Sequence, residues 1–164
     1  AHVEKRSRLG HWEGDTLIGK GHKQAIVSLV ERKSGYAVLA KVKNKTADLV
    51  SNAIIDRLKP LMRKVSTLTY DNGKEFADHA SIDHALGSIS YFADPYSSWQ
   101  RGSNENLNGL IRQYIPKSRP LSTVSDAELA KIEGLLNNRP RKRLRYKTPH
   151  EVFTKSFNPV ALRA

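Results

Sequence analysis

Three β-rich runs joined by short turns restrict the fold of this chain more than any other feature of its sequence. The runs cover residues 11–20, 24–32 and 36–43, and the turns between them contain Gly, His and Lys or Lys, Ser and Gly. Short Gly-containing turns between β-rich runs are typical of antiparallel hairpins. The first part of the chain is therefore expected to form three antiparallel strands.

The hydrophobic period then changes from that of strands to that of helices. A helix is predicted to begin after Thr46, which can cap it, and to end near Pro60. Its apolar residues recur at helical spacing: Val50, Ala53, Ile54, Leu58 and Leu61. Further elements are predicted in alternation: a strand over 64–70, a helix over 74–86, a strand over 88–93, and helices over 104–114 and 126–138.

This order of elements predicts an α/β fold, a five-stranded mixed sheet with an antiparallel first half and with helices packed on it. The length of 164 residues suits one domain, and no repeat or linker divides the chain. We expect residues 1–164 to form a single unit with flexible ends at 1–8 and about 156–164. After the last helix, the chain is expected to continue as an extended basic tail.

Composition excludes several classes of protein and of site. No apolar run approaches the about 18 residues of a membrane span, and the charged first ten residues do not resemble a signal peptide. The absence of cysteine excludes disulfides, thiolate zinc sites and cysteine nucleophiles, and it suits a cytoplasmic location. His79 and His84, five residues apart, are poorly spaced for two ligands on one helical face and are interpreted as surface or packing residues.

The charge balance predicts a polyanionic partner. Lys and Arg number 28 against 16 Asp and Glu, a net charge of +12. Residues 1–99 carry 15 basic and 11 acidic side chains (net +4), and residues 100–164 carry 13 and 5 (net +8). The densest cluster is RPRKRLRYK over 139–147, with six basic residues in nine. It can be a solvated surface, but phosphate contact is the favoured interpretation.

Asp15 lies inside the first predicted strand, in EGDTLI. Alternate residues of a strand share a face, so Asp15 points the same way as Glu13 and Leu17 and opposite to Trp12 and Thr16. A carboxylate is costly to bury unless it is paired or bound to a metal. If the strand is central, Asp15 needs a cation, whereas on an edge strand it would lie in water.

Asp71 follows the strand in TLTYDNGKEF and also has two interpretations. Asp and Asn fold back onto their own backbone and Gly tolerates positive φ, so Asp71, Asn72 and Gly73 can simply form a turn. However, open α/β sheets hold ligands at the carboxyl ends of their strands. Two neighbouring strands could bring Asp15 and Asp71 to one metal ion such as Mg²⁺, which usually takes one or two protein carboxylates.

Glu105 begins the helix in RGSNENLNGLIRQY. Ser103 could cap this helix, and Glu105 would then only complement the positive end of its dipole. However, Arg101, Glu105, Asn108 and Arg112 form a polar stripe at spacings of four, three and four. That stripe is predicted to face outward, toward an anion such as a phosphate backbone. The opposite side can be packed by apolar residues: Leu107, Leu110, Ile111 and Tyr114.

The three acids together resemble a known family. Asp15 in WEGDT, Asp71 in YDNGKEF and Glu105 in RGSNEN, with 33 residues between the last two, resemble the D,D(33)E triad of bacterial insertion-sequence transposases. The likeness is to the insertion-sequence-thirty type, and beyond it to the integrase core of retroviral integrases. It covers about residues 8–155, including RPRKRLRYKTPHEVF near the end.

The resemblance implies a ribonuclease-H-like fold and DNA strand cleavage and transfer with two divalent ions, Mg²⁺ or Mn²⁺. Asp15 and Asp71 would then bridge or share the metals, and Glu105 would complete the second site. Paired ions about 4 Å apart can activate a water or a 3′-hydroxyl and stabilise the leaving oxygen. Glu13 lies on the same strand face as Asp15 and is a candidate only for supporting Asp15, not for binding the metal itself.

The resemblance also implies DNA partners, namely the element ends and the target, and a homo-oligomer in the active complex. Arg112 matches a position where relatives often carry a basic residue against DNA, whereas Gly109 offers no charge where some relatives do. The candidate DNA contacts are Arg101, Asn108, Arg112, Arg141, Lys142, Arg143 and Arg145. Trp99 could stack on a base, but anchoring its loop to the core is favoured. The family's N-terminal helix-turn-helix region is expected to be absent from this chain. The protein is expected to be cytoplasmic and to act at the bacterial nucleoid.

Two alternatives stay open at this point. A metal-dependent nuclease of the same fold would cut DNA without joining it. A non-catalytic basic DNA-binding or assembly module would bind DNA with strong salt dependence but without metal, and its acids would be incidental.

Overall fold

A computed structural model of the chain describes residues 8–94 and 102–155, and the statements below concern these residues. Three strands come first, two α-helices and two strands alternate after them, and three further α-helices complete the described part of the chain. The strands are β1 His11–Ile18, β2 Ala25–Glu31, β3 Ala37–Val42, β4 Thr67–Tyr70 and β5 Ile89–Phe92. The helices are α1 Ala47–Leu58, α2 His79–Leu86, α3 Gly102–Tyr114, α4 Asp126–Asn137 and α5 Pro149–Lys155. None of the described helices is long and apolar enough to cross a membrane.

The strands form one mixed sheet in the order β3-β2-β1-β4-β5. The pairs β1–β2 and β2–β3 are antiparallel, whereas β1–β4 and β4–β5 are parallel. Short turns allow the first two pairings, and the parallel pairings need crossovers, which α1 and α2 supply. The predicted five-stranded mixed sheet with three antiparallel strands first is confirmed, and β1 is its middle strand.

Alternation along β1 divides the core into two layers, one on each face of the sheet. Trp12 packs with α1, α2 and α5 on one face, and Leu17 packs with α3 and α4 on the other. Both faces of the sheet are covered, so every residue of β2 is buried. The predicted opposition of Trp12 and Leu17 is therefore confirmed.

The end of the chain differs from the predicted extended tail. A short 3-10 helix, Lys142–Leu144, is followed by α5, whose Phe153 is buried and stacks on Tyr36 with 4.2 Å between ring centroids. Thr148 Oγ1 accepts a hydrogen bond from Glu151 N at 3.1 Å, which caps α5. The TPHE sequence, with Pro at the first helical position, is the capping signal for this helix.

Several predicted boundaries also shift. The predicted helix over 74–86 is a 3-10 turn, Lys74–Phe76, followed by α2. Thr46 occupies the N-cap position of α1, but its side chain makes no capping hydrogen bond. The α3 helix begins at Gly102, so Ser103 lies inside the first turn and is not its cap.

Candidate functional site

Asp15 is placed on the middle strand of the sheet, so the interpretation of an edge strand in water is wrong. It lies opposite Ser28 of β2 and is half-buried. Its Oδ1 accepts a hydrogen bond from Thr16 N at 2.9 Å, and its Oδ2 accepts one from Asn108 Nδ2 at 3.0 Å. The carboxylate is thus held by neutral donors at a position that keeps contact with solvent.

Asp71 follows β4 directly and is also half-buried. The register pairs Glu13 with Thr69, so two residues further along these parallel strands Asp15 and Asp71 take corresponding positions. Neighbouring strands lie about 4.7–4.9 Å apart. His11 Nδ1 and Thr67 Oγ1 lie 2.8 Å apart, so odd-numbered residues of both strands share one face. Asp15 and Asp71 are thereby brought to one region of the sheet.

The turn interpretation of Asp71 is confirmed at the same time. Gly73 N donates to Asp71 Oδ1 at 2.8 Å, closing a side-chain turn directly after the strand. The turn and the placement of the carboxylate at the strand end are therefore compatible. The turn follows the end of β4 at Tyr70, so Asp71 stands directly after the strand, at the position that corresponds to Asp15 on β1.

Glu75 is a neighbour of Asp71 that the sequence did not single out. It is buried and ion-paired to Lys45, with 3.3 Å between Nζ and Oε2. A Cβ added at Gly73 would clash with Glu75 Oε1 and lie 2.8 Å from Asp71 Oδ1, so both carboxylates lie close to Gly73. In the sequence, the position of Glu75 in DNGKEF, two residues after Gly73, was the feature that could have identified it.

Three hydrogen bonds, one helical turn apart, hold α3 along β1. Asn104 N donates to Glu13 Oε1 at 3.1 Å, Asn108 Nδ2 donates to Asp15, and Arg112 Nη2 donates to Ile18 O at 2.9 Å. Asn108 and Arg112 therefore point at β1, and the predicted outward direction of this stripe is wrong for them. Burial of Leu107 and Ile111, with Leu110 and Tyr114 partly buried, is confirmed.

Glu13 and Arg32 form a buried ion pair beneath the start of α3. Both side chains are at most 4% exposed, and Arg32 Nε lies 3.0 Å from Glu13 Oε2. Since Glu13 also accepts the Asn104 N–H, the pair fixes the first turn of α3, on which Glu105 is the next residue. Glu13 therefore holds the backbone of α3, and a supporting role toward Asp15 stays a prediction.

Glu105 is exposed on that first turn, and no ion pair or hydrogen bond holds it among the described residues. In the same part of the chain, no three His, Asp or Glu side chains are grouped closely enough to hold a metal ion. The register thus gives Asp15 and Asp71 corresponding positions, while Glu105 lies exposed on α3. Two half-buried carboxylates still fit Mg²⁺, which takes one or two protein carboxylates with water and substrate oxygens.

The candidate DNA contacts fall into three groups. Arg101 and Trp99 lie outside the described residues. Asn108 and Arg112 are half-buried against β1, and burial lowers the pKa of Arg112. Gly109 faces open space.

The remaining candidates belong to the basic segment after α4. Arg141 is half-buried, and burial lowers its pKa, with a smaller contribution from Arg139. Arg143 Nη1 donates to Lys33 O at 3.1 Å, and Lys142 and Arg145 are exposed. With the start of α3, Arg141, Lys142 and Arg143 line a cleft of about 340 Å³.

Sequence comparison finds relatives among transposases. The chain is 46% identical over 156 residues to the transposase for insertion sequence element IS4351 of Bacteroides fragilis, a match that covers 95% of this chain and 48% of that protein. It is 43% identical over 151 residues to the transposase InsI for IS30A of Escherichia coli, which covers 92% and 39%. The chain therefore spans about half or less of the length of these relatives. No family model matches it.

Structure comparison finds integrases. The catalytic core domain of BIV integrase matches with a TM-score of 0.65 and 25% identity, over 88% of this chain and 93% of that one. A simian T-cell lymphotropic virus intasome in complex with a PP2A regulatory subunit matches with a TM-score of 0.72 and 19% identity, over 94% and 57%. These likenesses confirm the predicted ribonuclease-H-like fold.

Proposed function

The chain is a homologue of insertion-sequence transposases of the IS30 type, and we propose that it is a catalytic core for DNA strand cleavage and strand transfer. The observation that carries the proposal is the β1–β4 register, which gives Asp15 and Asp71 corresponding positions on two adjacent parallel strands, beside the helix that bears Glu105. Acids at that position fit phosphoryl transfer, in which positioning and charge stabilisation supply most of the catalysis.

Asp15, Asp71 and Glu105 would hold two divalent ions, Mg²⁺ or Mn²⁺. When bound, such ions supply a nucleophile at neutral pH and stabilise the leaving oxygen. The protein's own contribution is orientation. Asn108 donates to Asp15 Oδ2 while its Oδ1 accepts from Ser28 Oγ at 2.9 Å, so both ends of the amide are fixed. The carboxylate of Asp15 is thereby held in one direction, as ligand-supporting hydrogen bonds do in metal sites.

Glu105 completes this proposal from a different element. The Glu13–Asn104 bond places the first turn of α3 against β1, so the Glu105 backbone is anchored while its side chain remains free to turn. The described arrangement therefore supports a site that is completed by its ligands.

DNA would be bound mainly through phosphates, with little sequence preference. Lys142 and Arg145 are exposed for such contacts, and Arg141 and Arg143 lie beside them. Arg101, Asn108 and Arg112 remain candidate contacts from α3. The partners would be the ends of a mobile element and its target, brought together by a homo-oligomer, because one structural neighbour is an intasome.

The test is replacement of Asp71 by Asn, with Asp56→Asn, an exposed carboxylate on α1, as the matched control. Supercoiled plasmid nicking and joining to an oligonucleotide 3′-hydroxyl are measured with Mn²⁺ or Mg²⁺, and Mn²⁺ binding is measured by calorimetry. We expect Asp71→Asn to lose nicking, joining and metal affinity while its circular dichroism and DNA affinity match those of the wild type.

The other outcomes separate the alternatives. Wild-type activity in Asp71→Asn overturns the catalytic assignment. Nicking without joining supports a nuclease of the same fold. DNA binding by a wild-type chain that binds no Mn²⁺ and cuts nothing supports a non-catalytic module.

A further inference from the structure

A second basic cleft lies at the other end of α3, beside the turn between β1 and β2. Its volume is about 410 Å³. The lining residues are Ile18, Gly19, Lys20, Gly21, His22, Arg112 and Lys117. Three of these side chains are cations at neutral pH, one is an imidazole, and none is an acid. We call this the hairpin cleft.

The backbone of the turn is fixed while its side chains extend into solvent. His22 N donates to Gly19 O at 3.2 Å, and Lys20 N donates to Arg119 O at 3.4 Å. Gly21 and His22 both have positive φ, at 93° and 58°, which produces a tight reversal. Lys20, His22 and Lys117 are exposed, and none of the ion pairs found among the described residues involves them. In the described part of the chain, these side chains are therefore neutralised by no ion pair.

Arg112 forms the inner wall of the hairpin cleft. One of its guanidinium nitrogens donates to Ile18 O, and in the described part of the chain no carboxylate accepts from the others. A guanidinium carries five N–H donors and no acceptor, so most of its hydrogen-bonding capacity remains for an anion. Its half-burial places this donor set at the base of the cleft.

We propose that the hairpin cleft binds the DNA phosphate backbone through Lys20, Arg112 and Lys117. This inference rests on the proposed function and extends it by naming a contact surface on the β1–β2 turn. Arg112 contacts Ile18, three residues beyond Asp15 on the same strand, a distance of about 10 Å at the rise of a β-strand. That distance equals roughly three base-pair rises of DNA.

The position of the hairpin cleft gives it a distinct role. The cleft at Arg141, Lys142 and Arg143 adjoins the start of α3, and the hairpin cleft adjoins its end. The helix between them is about 20 Å long at 1.5 Å per residue. The start of α3 is bonded to Glu13 and its middle to Asp15, so the two basic clefts lie toward opposite ends of the helix that borders Asp15.

The experiment compares the double variant Lys20→Gln/Lys117→Gln with a matched control, Lys59→Gln/Lys131→Gln, which removes the same charge from exposed positions elsewhere. Affinity for a short random-sequence duplex is measured by fluorescence anisotropy at several salt concentrations. We expect the hairpin variant to lose roughly tenfold to hundredfold in affinity at 0.1 M salt, and its log–log salt slope to fall by about one to two. Arg112 is left intact because it also holds α3 to β1.

A salt slope equal to that of the wild type, or an equal change in the control, overturns the inference. So does loss of binding to polyglutamate with unchanged DNA binding, which would assign the hairpin cleft to an acidic peptide. Failure here is distinguishable from failure of the proposed function, because Mn²⁺ binding and its loss in Asp71→Asn do not depend on the hairpin lysines. A wild-type chain that binds neither DNA nor Mn²⁺ contradicts both.

Discussion

Glu13 and Asp15 stand two residues apart on the same face of β1, yet their surroundings differ completely. Glu13 is fully buried, ion-paired with Arg32 and bonded to the backbone of α3. Asp15 is half-buried and accepts hydrogen bonds from a backbone amide and from the Asn108 side chain. Both carboxylates are approached by the same helix, one from its backbone and one from a side chain.

The difference shows that environment, and not residue type, assigns a role to each acid. A fully buried charge persists only with a partner of opposite charge and saturated hydrogen bonds. Glu13 has the charged partner in Arg32 and a hydrogen bond from Asn104 N, so it belongs to the architecture. Asp15 is oriented by Thr16 N and Asn108 and reached by solvent, which suits a carboxylate that binds a cation supplied from outside.

The largest expected effect separates the two acids by activity. Asp15→Asn should lower metal-dependent plasmid nicking by roughly 5 kcal/mol of transition-state stabilisation, nearly four orders of magnitude. Its unfolding free energy should stay within about 1 kcal/mol of the wild type, because the amide keeps an acceptor oxygen. Nicking rates test the predicted loss of activity, and urea unfolding tests the predicted stability. Activity within tenfold of the wild type would break the comparison.

For the unfolding free energy the order is reversed, and replacing Glu13 should have the larger effect. Glu13→Gln leaves Arg32 buried without a carboxylate, which should cost about 3–5 kcal/mol of unfolding free energy. Chemical denaturation measures this loss, and Glu105→Gln, an exposed acid on α3, is the control with little expected change. If Glu13→Gln were as stable as that control, the buried pair would not hold the start of α3.

Replacing Asn108, whose side-chain amide joins α3 to Asp15, should have a smaller effect on function. Asn108→Ala removes the donor to Asp15 Oδ2, and we expect a 10–100-fold loss of apparent Mn²⁺ affinity, as for other groups that orient metal ligands. Its unfolding free energy should fall by only about 1 kcal/mol. Calorimetry with Mn²⁺ tests the prediction, with Asn106→Ala, an exposed neighbour on α3, as control. Equal affinities in the two variants would show that Asn108 does not orient Asp15.

The smallest effect concerns Glu133, a mostly buried acid of α4 whose ion-pair partner Arg57 is largely exposed. Burial raises the pKa of Glu133, an effect partly offset by Arg57. The folded state therefore keeps the proton to higher pH than the unfolded state, so stability should fall as pH rises above the ordinary value of 4.5. Subtracting the pH profile of Glu133→Gln isolates this contribution. A difference profile that rises with pH would contradict the raised pKa.

Features with local causes were predictable from the sequence. Alternation along a strand placed Asp15 with Glu13 and opposite Trp12, and the Gly-containing turns gave the hairpins. The position of Asp71 at a strand end followed from the turn residues after Tyr70. The order of the three acids was enough to indicate the family.

Features that depend on partners distant in the chain were not predictable in this way. The direction of Asn108 and Arg112 is set by β1, more than 90 residues earlier, and helical spacing alone does not show which face meets a strand. Likewise, α5 is stabilised by Phe153 against Tyr36 and Trp12, which a charge-rich segment does not reveal. The assignment of metal and DNA contacts to individual residues stays a prediction.

The parallel pairing of β1 with β4 also has a consequence for how the protein folds. Strands β1 to β3 can pair as local hairpins, but His11 meets Thr67 across 56 residues and Asn104 meets Glu13 across 91. Closing long loops is entropically costly, and topologies dominated by distant contacts fold slowly. During synthesis Asp15 is made first, and the helix that orients it is made long afterwards. We therefore expect a nascent or truncated chain to hold its carboxylates unassembled, so that the proposed metal site forms only with the completed fold.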